Sequence, residues 1–311
     1  MEVVTNNQSS TLNHSDYQAC ENQLSIMQIS KTYANDVKAL DGINLTLSNG
    51  MFGLLGPNGA GKSSFMRSLA TLQNVDGGRI EFNGEDTQVN PNAIRRCLGY
   101  LPQEFGVYPK MSAVQLLDYL AIVKGVSDKA QRQEQITQLL ALTNLTAHKH
   151  KYVANYSGGM KQRFGIAQAL LGQPRILIID EPTAGLDPAE RNSFHNILSD
   201  IAEKMIVILS THIVEDICNL CPNMAILNAG KICFEGNPQN LINQLQGQLW
   251  TKTTDKVELS ALKNAHQLLS VRLKEGRYQV RIVAKNKPGS GFQATTPDLE
   301  DAYFYTLQQS C

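Results

Sequence analysis

The sequence lacks any hydrophobic run long enough to cross a membrane. Its longest apolar stretches, residues 176–179 and 206–209, have the length of strands, whereas a spanning helix needs about 18 residues. Residues 1–23 contain no apolar signal segment and are rich in Asn, Gln, Ser and Thr. These absences predict a cytosolic chain that begins with a disordered polar tail over residues 1–23.

The sequence also lacks a charge excess of either sign. It contains 28 Lys and Arg and 28 Asp and Glu, which gives a formal net charge of +0. Proteins that bind duplex nucleic acid normally carry a strong basic excess, so nucleic acid is not expected as a partner. The length of 311 residues exceeds the ~250–300 residues at which one core usually stops growing, so more than one lobe is expected.

Cysteine is scarce, with six residues in the chain. Cys218 and Cys221 form a C-x-x-C pair, a pattern that also occurs in redox and metal sites. A zinc site needs a second pair of ligands at suitable spacing, and none follows. We therefore interpret the two cysteines as small apolar residues near the end of a helix.

Strand and helix patterns alternate along most of the chain. Continuous apolar strands are predicted at residues 51–55, 98–101, 176–179 and 206–209. Helical patterns separate them, including one over residues 112–142 with Ser112 as the expected N-cap. This alternation predicts an α/β fold with a largely parallel sheet.

The pattern changes after Gly247. Residues 271–273 and 278–283 flank a turn and predict a β-hairpin, and a terminal helix is expected to begin at Thr296-Pro297. One sheet face is expected to be buried by Leu269, Val271, Val280 and Ile282.

We therefore divide the chain into a cassette over residues 24–246 and a small α+β accessory domain over residues 247–311. The small domain contains no phosphate loop and no acid pair after a strand. The cassette is accordingly expected to fold and to bind its ligand alone.

A glycine-rich stretch, residues 56–63, lies between a predicted strand and a predicted helix and matches G-x-x-x-x-G-K-[ST]. Such a loop turns backbone N–H groups toward phosphate oxygens, and the helix N-terminus adds partial positive charge. Lys62 is expected to reach the β- and γ-phosphates of ATP, and the Ser63 hydroxyl to bind Mg²⁺. The expected nucleotide-binding residues are Gly56, Pro57, Asn58, Gly59, Ala60, Gly61, Lys62, Ser63 and Ser64.

Two acids follow the apolar strand at residues 176–179. In an α/β sheet they lie at the edge formed by the carboxyl ends of the strands, where ligands bind. Asp180 is expected to hold Mg²⁺, and Glu181 to polarise the attacking water as the catalytic base.

A Ser-Gly-Gly turn at residues 157–159 opens another predicted helix and is a second candidate phosphate cap. With Tyr156 before it and Met160 after it, the segment resembles the signature motif of ABC ATPases, commonly Leu-Ser-Gly-Gly-Gln. Ser157, Gly158 and Gly159, which the resemblance assigns to phosphate contact, are intact.

The resemblance to ABC ATPases covers about residues 24–245 and implies roles for further residues. Tyr33 corresponds to the aromatic residue that stacks on adenine, and Gln103 to the glutamine that reaches Mg²⁺ and links the site to a membrane partner. Residues 184–187 resemble the D-loop, which includes Asp187. His212 corresponds to the switch histidine that contacts the γ-phosphate.

Several segments look like the ATPase subunits of bacterial type 2 ABC exporters, which include drug, lantibiotic and sodium efflux systems. The similarity is carried by residues 53–62, 101–104, 157–163 and 297–304. An importer ATPase, an ABC ATPase that works in DNA repair or on ribosomes, and a catalytically inactive regulatory protein are the alternatives. The fused second cassette or long coiled-coil insertion usual in the DNA-repair and ribosome proteins is absent, and intact Lys62, Asp180, Glu181 and His212 argue against an inactive protein. Only the resemblance to the exporter subunits favours export over import.

The resemblance also implies an assembly. Two ATPase subunits, identical or similar, would form a head-to-tail dimer with each ATP between Lys62 of one subunit and Ser157 of the other. A helical insert over about residues 104–155 would face a separate integral-membrane permease. The chain would then work at the cytoplasmic face of the membrane.

Overall fold

A computed structural model describes residues 22–183 and 186–309. Most of the expected polar tail, together with Ala184 and Gly185 of the expected D-loop, therefore lies outside the described residues. Over the two described ranges, no helix combines the length and the apolar character that a membrane span requires.

A six-stranded sheet forms the centre of the molecule, and the prediction of a largely parallel sheet is confirmed. Its strand order is β10-β9-β3-β8-β7-β6, with all neighbours parallel except β9 and β10. The strands are β3 (Gly50–Leu55), β6 (Leu98–Leu101), β7 (Ile176–Asp180), β8 (Ile206–Thr211), β9 (Asn223–Asn228) and β10 (Lys231–Gly236).

An antiparallel sheet covers one side of this centre. Its order is β2-β1-β4-β5, and β1 pairs with both β2 and β4. The strands are β1 (Gln23–Thr32), β2 (Lys38–Ser48), β4 (Gly77–Phe82) and β5 (Glu85–Asp86).

Among the described residues, eight α-helices complete the cassette. They are α1 (Lys62–Leu69), α2 (Pro91–Cys97), α3 (Ala113–Val123), α4 (Lys129–Leu142), α5 (Gly158–Ala169), α6 (Pro188–Ala202), α7 (Val214–Leu220) and α8 (Pro238–Asn243). The expected N-cap at Ser112 is confirmed: its side chain accepts from Gln115 N, and the Gln115 side chain accepts in return from Ser112 N. This capping box satisfies two N–H groups that the start of α3 would otherwise leave unpaired.

The central sheet buries a different set of helices on each face. Successive side chains of a strand point to opposite faces. In β7, Ile176 and Ile178 pack with α1 and the antiparallel sheet, whereas Leu177 and Ile179 pack with helices α3 to α7. We call these sides the α1 face and the α5 face. The helix that follows the glycine-rich loop and the helix that follows the Ser-Gly-Gly turn therefore lie on opposite sides of the sheet.

The residues after Gly247 form a separate sheet with a small core. Its order is β12-β13-β11-β14, and the expected hairpin is confirmed as β12 and β13. The elements are β11 (Leu249–Thr254), α9 (Lys256–Ala265), β12 (Ser270–Lys274), β13 (Arg277–Val283) and β14 (Gln293–Ala294). Leu269, Val280 and Ile282 are buried as expected, but Val271 is 39% exposed. The expectation for Val271 is wrong because β12 is an edge strand whose face is only partly covered.

The terminal helix α10 (Leu299–Gln309) packs against the cassette and not only against the small sheet. Leu299, Ala302 and Tyr303 belong to the core on the α5 face, next to α7 and α8. Arg281 of β13 pairs with Asp301 at the start of this helix. A chain that ends near Leu245 would leave that part of the core uncovered.

Candidate functional site

The loop over residues 56–63 is closely packed against neighbouring backbone. A Cβ atom on Gly56 would lie 2.3 Å from the Leu227 carbonyl oxygen, and one on Gly61 would lie 2.3 Å from the Ala39 carbonyl oxygen. Gly61 also has a φ of 108°, a conformation that favours glycine. The glycines are therefore required by packing and by backbone geometry.

The start of α1 offers unpaired backbone donors. The first N–H that finds a helical partner is that of Phe65, which donates to Gly61 O, and no side chain caps the helix. The N–H groups of Lys62, Ser63 and Ser64 thus belong to the free N-terminal set of a helix. Such a set binds anions, phosphate above all.

Lys62 is buried at the mouth of this loop. Its Nζ donates to the carbonyl oxygens of Gly56 at 2.7 Å and Pro57 at 3.2 Å. The same nitrogen lies 3.5 Å from Glu181 Oε1. The ammonium group is therefore held between the loop and the end of β7 by weak carbonyl contacts that a phosphate can replace.

Asp180 ends β7 and is 5% exposed. Its Oδ1 is buried without a hydrogen-bond partner among the described residues. Burial, together with the negative charge of Glu181, raises the pKa of Asp180, although the positive charge of Lys62 opposes this shift. An unsatisfied buried carboxylate oxygen beside a phosphate loop fits Mg²⁺ coordination.

The remaining ligands of such a cation would not come from a preformed cage. In the part of the chain that the structure describes, no group of three or more His, Cys, Asp or Glu could hold a metal ion. Mg²⁺ keeps several waters and is commonly bound through one or two protein oxygens plus substrate phosphates. The residues present fit that mode, with Asp180 and Ser63 as the expected ligands.

Glu181 is held in a strained conformation between two basic side chains. Its φ is 50°, in the left-handed region, and its N–H donates to Ser210 O at 2.9 Å. Its carboxylate lies between Lys62 Nζ at 3.5 Å and His212 Nδ1 at 3.1 Å. Backbone strain of this kind persists where the surrounding structure holds the residue in place, and it clusters at functional sites.

Tyr33 lies beside α1. Its hydroxyl is 2.9 Å from Ser64 Oγ and donates to Gln73 Oε1 at 3.0 Å. Gln103 is exposed just beyond the end of β6, and no hydrogen bond joins it to the other candidate residues within the described ranges. The structure thus brings Tyr33 to the helix of the phosphate loop, whereas it leaves Gln103 free at the sheet edge.

The Ser-Gly-Gly turn forms a helix N-terminus on the α5 face. Ser157 is exposed, and its Oγ accepts from Met160 N at 3.2 Å. A Cβ on Gly159 would lie 2.0 Å from the Glu190 carboxyl carbon of α6. The helix that begins at the Ser-Gly-Gly turn therefore packs on the α5 face, whereas the helix that carries Lys62 packs on the α1 face.

Two further residues near the candidate site, Tyr156 and Asp187, make contacts within the fold. Tyr156, which replaces the usual leucine of the signature motif, is buried against Phe164 and donates to His148 O at 2.9 Å. Asp187 caps α6 by accepting from Glu190 N at 2.8 Å.

The two cysteines of the C-x-x-C pair lie in different surroundings. Cys221 is buried against β3 beside Gly53, and Cys218 is exposed. Burial raises the pKa of the Cys221 thiol, which keeps it protonated and unreactive. This agrees with the interpretation of the pair as part of the packing.

One buried carboxylate was not anticipated. Asp216 of α7 lies behind the candidate site and accepts hydrogen bonds from Thr183, two residues after Glu181, and from Thr211, directly before His212. No recurring motif or spacing in the sequence marks this residue, because its partners come from three separate segments.

The glycine loop between β3 and α1, with an acid pair at the end of β7, defines a P-loop nucleoside triphosphatase. The family model described as ABC transporter matches residues 40–184. The ABC transporter ATP-binding protein YxlF of Bacillus subtilis is 34% identical over 277 residues, covering 89% of this chain and 87% of that protein. The chain therefore belongs to the ABC transporter ATP-binding family, whose members bind ATP with Mg²⁺ and hydrolyse it.

Other relatives differ in their named transport function. The probable multidrug ABC transporter ATP-binding protein YbhF of Escherichia coli is 31% identical over 88% of this chain, which spans about half (50%) of that protein's length. The methionine import ATP-binding protein MetN 2 of Pseudomonas entomophila is 35% identical, covering 68% of this chain and 67% of that protein. A solved ATP-binding subunit of an ABC transporter superimposes with a TM-score of 0.64 at 28% identity, covering 71% of this chain and 92% of that one.

The raised pKa of Asp180 leads to a stability prediction. Its ionised form destabilises the fold at pH values above the folded-state pKa, and this effect disappears as the pH falls toward the ordinary value near 4. In the absence of nucleotide and Mg²⁺, Asp180→Asn should raise the Tm at about pH 7.5 by roughly 2–4 °C, the shift that about 1 kcal/mol produces in a protein of this size. Near pH 4 the difference should vanish.

The control for this measurement is Asp187→Asn. This residue is exposed, and asparagine caps a helix as well as aspartate does, so its Tm should change little. Differential scanning calorimetry of the three proteins at both pH values is the measurement. A Tm for Asp180→Asn below that of the control at about pH 7.5 would contradict the expected effect of burial.

Proposed function

We propose that this chain is the ATP-hydrolysing subunit of an ABC transporter and that its candidate residues act together at one edge of the central sheet. One observation carries the proposal. Adjacent strands β3, β8, β7 and β6 end in turn at the P-loop, His212, the Asp180–Glu181 pair and Gln103. The carboxyl ends of parallel strands are where ligands bind in such folds.

The roles follow from the chemistry of each group. ATP phosphates lie on the N-terminus of α1, where Lys62 exchanges its carbonyl contacts for phosphate oxygens. Ser63, Asp180 and Gln103 would supply oxygens to Mg²⁺, which would neutralise charge on the phosphates. The ring of Tyr33 stacks on adenine, with its hydroxyl held by Ser64.

Glu181 acts on the attacking water. Water adds to the γ-phosphorus as the bond to the ADP oxygen breaks, and its proton moves to the Glu181 carboxylate. His212 contacts the γ-phosphate and orients Glu181, since its Nδ1 lies 3.1 Å from Glu181 Oε2. Binding of ATP draws Lys62 away from Glu181, which frees that carboxylate to accept a proton.

A complete site requires a second subunit. Ser157 is exposed on the α5 face, whereas Lys62 belongs to the α1 face, so each ATP is enclosed by Lys62 of one chain and Ser157, Gly158 and Gly159 of another. The second subunit is a further copy of this chain or a similar ATPase, and Asp187 lies at the interface between them.

The membrane partner docks at the side of the cassette that carries α3. A cavity of about 450 Å³ opens there, lined by apolar side chains that include Leu72, Tyr108 and Val123. These three are 61%, 54% and 68% exposed, an unusual cluster for a surface without a partner. We assign the occupant as a cytoplasmic helix of an integral-membrane permease, which would hold the chain at the cytoplasmic face of the membrane.

We propose export as the direction of transport, and the extent of two matches supports it. The relative named for multidrug transport matches 88% of the chain, which includes part of the segment after Gly247. The relative named for methionine import matches 68%, about the extent of the cassette. An importer subunit is the alternative, since the residues proposed for ATP hydrolysis serve either direction.

The catalytic proposal is tested with Glu181→Gln. Glutamine keeps the shape and hydrogen-bonding capacity of Glu181 but cannot accept the proton, so turnover should fall by about 10²–10⁴-fold. ATP affinity should stay within about threefold. The exposed Glu203→Gln is the control and should match the wild type. Steady-state phosphate release and fluorescence titration are the measurements, and near-wild-type turnover of Glu181→Gln would remove Glu181 from its role.

The membrane partner is tested by purification. A tagged chain recovered from detergent-solubilised membranes should bring down one integral-membrane protein, identified by mass spectrometry. Val123→Glu places a charge in the apolar cavity and should abolish that recovery, whereas Val89→Glu, at an 83% exposed site away from the cavity, should not. Recovery of the membrane protein by Val123→Glu at the wild-type level would rule out docking at this surface.

A further inference from the structure

A buried carboxylate on α7 holds both loops that carry the proposed catalytic residues. Asp216 is fully buried. Its Oδ2 accepts from Thr183 Oγ1 at 2.6 Å and from Thr211 Oγ1 at 3.2 Å. A single oxygen atom thus receives hydroxyl hydrogen bonds from the segments that follow β7 and end β8.

The two threonines lie within two residues of Glu181 and His212 in the sequence. Thr183 lies two residues after Glu181, and Thr211 immediately precedes His212. Thr211 Oγ1 also accepts from Ile213 N at 2.9 Å, so the threonine fixes the chain on the far side of His212 as well. The positions of Glu181 and His212 relative to each other therefore depend on groups that meet at Asp216.

The second oxygen of Asp216 faces α6. His195 Nε2 lies 3.0 Å from Oδ1, and Arg191 Nε lies 3.4 Å from it. Burial alone would raise the pKa of Asp216, but the hydrogen bonds from His195 and Thr183 and the charge of Arg191 outweigh it and hold the pKa below its ordinary value. The carboxylate is ionised at neutral pH, with donors on both oxygens.

A hydrophobic residue would fill this position with less desolvation, because an ion pair in a protein interior is a poor source of stability. A carboxylate does what an apolar side chain cannot: it accepts several directional hydrogen bonds and fixes the atoms that donate them. The fixed atoms here adjoin a glutamate in a left-handed conformation, which the surrounding structure must hold in place.

We propose that Asp216 is a positioning residue for ATP hydrolysis: through Thr183 and Thr211 it sets the distance between Glu181 and His212 without touching ATP. The proposal rests on the proposed function, since it assigns a task to a residue behind that site. Loss of the Asp216 carboxylate leaves the P-loop intact but lets the distance between Glu181 and His212 change. Hydrolysis therefore slows while ATP binding persists.

The first test compares two neighbouring acids of α7. Asp216→Asn keeps the size of the side chain, whereas Glu215→Gln changes an acid whose side chain is 69% exposed and which pairs with Arg191. Asp216→Asn should lower kcat at least tenfold per ATP-binding site, with ATP affinity within about threefold. Glu215→Gln should retain wild-type kcat. Wild-type kcat for Asp216→Asn would overturn the proposal.

The second test separates positioning from general packing. In a His212→Ala background the pair that Asp216 aligns is already broken, so Asp216→Asn should add little further loss of kcat. An equal fold-loss in both backgrounds would indicate a structural effect independent of His212 and would overturn the proposal. Single-turnover ATP hydrolysis, normalised to bound ATP, measures both.

The threonine provides a test that does not change the buried charge. Thr183→Val has nearly the same shape without the hydroxyl, whereas Thr183→Ser keeps the hydroxyl. Thr183→Val should reproduce the loss of kcat and Thr183→Ser should recover most of it. Equal kcat for the two variants would overturn the proposal even if Asp216→Asn did not fold. An inactive wild-type chain would instead contradict the proposed function itself.

Discussion

The two faces of the central parallel sheet are the constraint on which the rest of the molecule depends. Strand side chains alternate between the faces, so Ile178 packs with the helix of the P-loop while Ile179 packs with the helix of the Ser-Gly-Gly turn. The parallel strands then deliver the P-loop, an acid pair and His212 to one edge. A single chain thus carries the two helix termini proposed to bind phosphate on opposite faces of its sheet.

Charged side chains lie close together at that edge, where ATP is proposed to bind. Lys62 and His212 lie on either side of Glu181, and Asp180 is buried with an unpartnered oxygen. Each of these interactions is incomplete without phosphate and a cation. In the proposed function, a polyphosphate would supply negative charge to Lys62, and Mg²⁺ would supply a partner for Asp180. The arrangement sacrifices some stability of the empty protein for binding of its ligand, as functional sites commonly do.

Local sequence patterns predicted the parallel strands, the P-loop and the acid pair because each depends on consecutive residues. They did not predict β11 or α9, where apolar residues are few and only Leu259 and Leu262 of α9 are buried. The burial of Val271 was mispredicted, since sheet edges depend on which strands pair. Asp216 and the packing of α10 on the cassette were missed for the same reason: their partners are distant in sequence.

The most direct test of the account is a heterodimer of two impaired subunits. A crosslinked dimer of one Lys62→Ala chain and one Ser157→Arg chain has both lesions in one pocket and an intact second pocket if each ATP lies between subunits. Quantifying nucleotide trapped in the presence of ATP and Mg²⁺ should give one nucleotide per heterodimer and none in either variant homodimer. Equal occupancy of the two heterodimer pockets, whether both trap nucleotide or neither does, would contradict the account, because each pocket would then lie within one chain and carry one lesion.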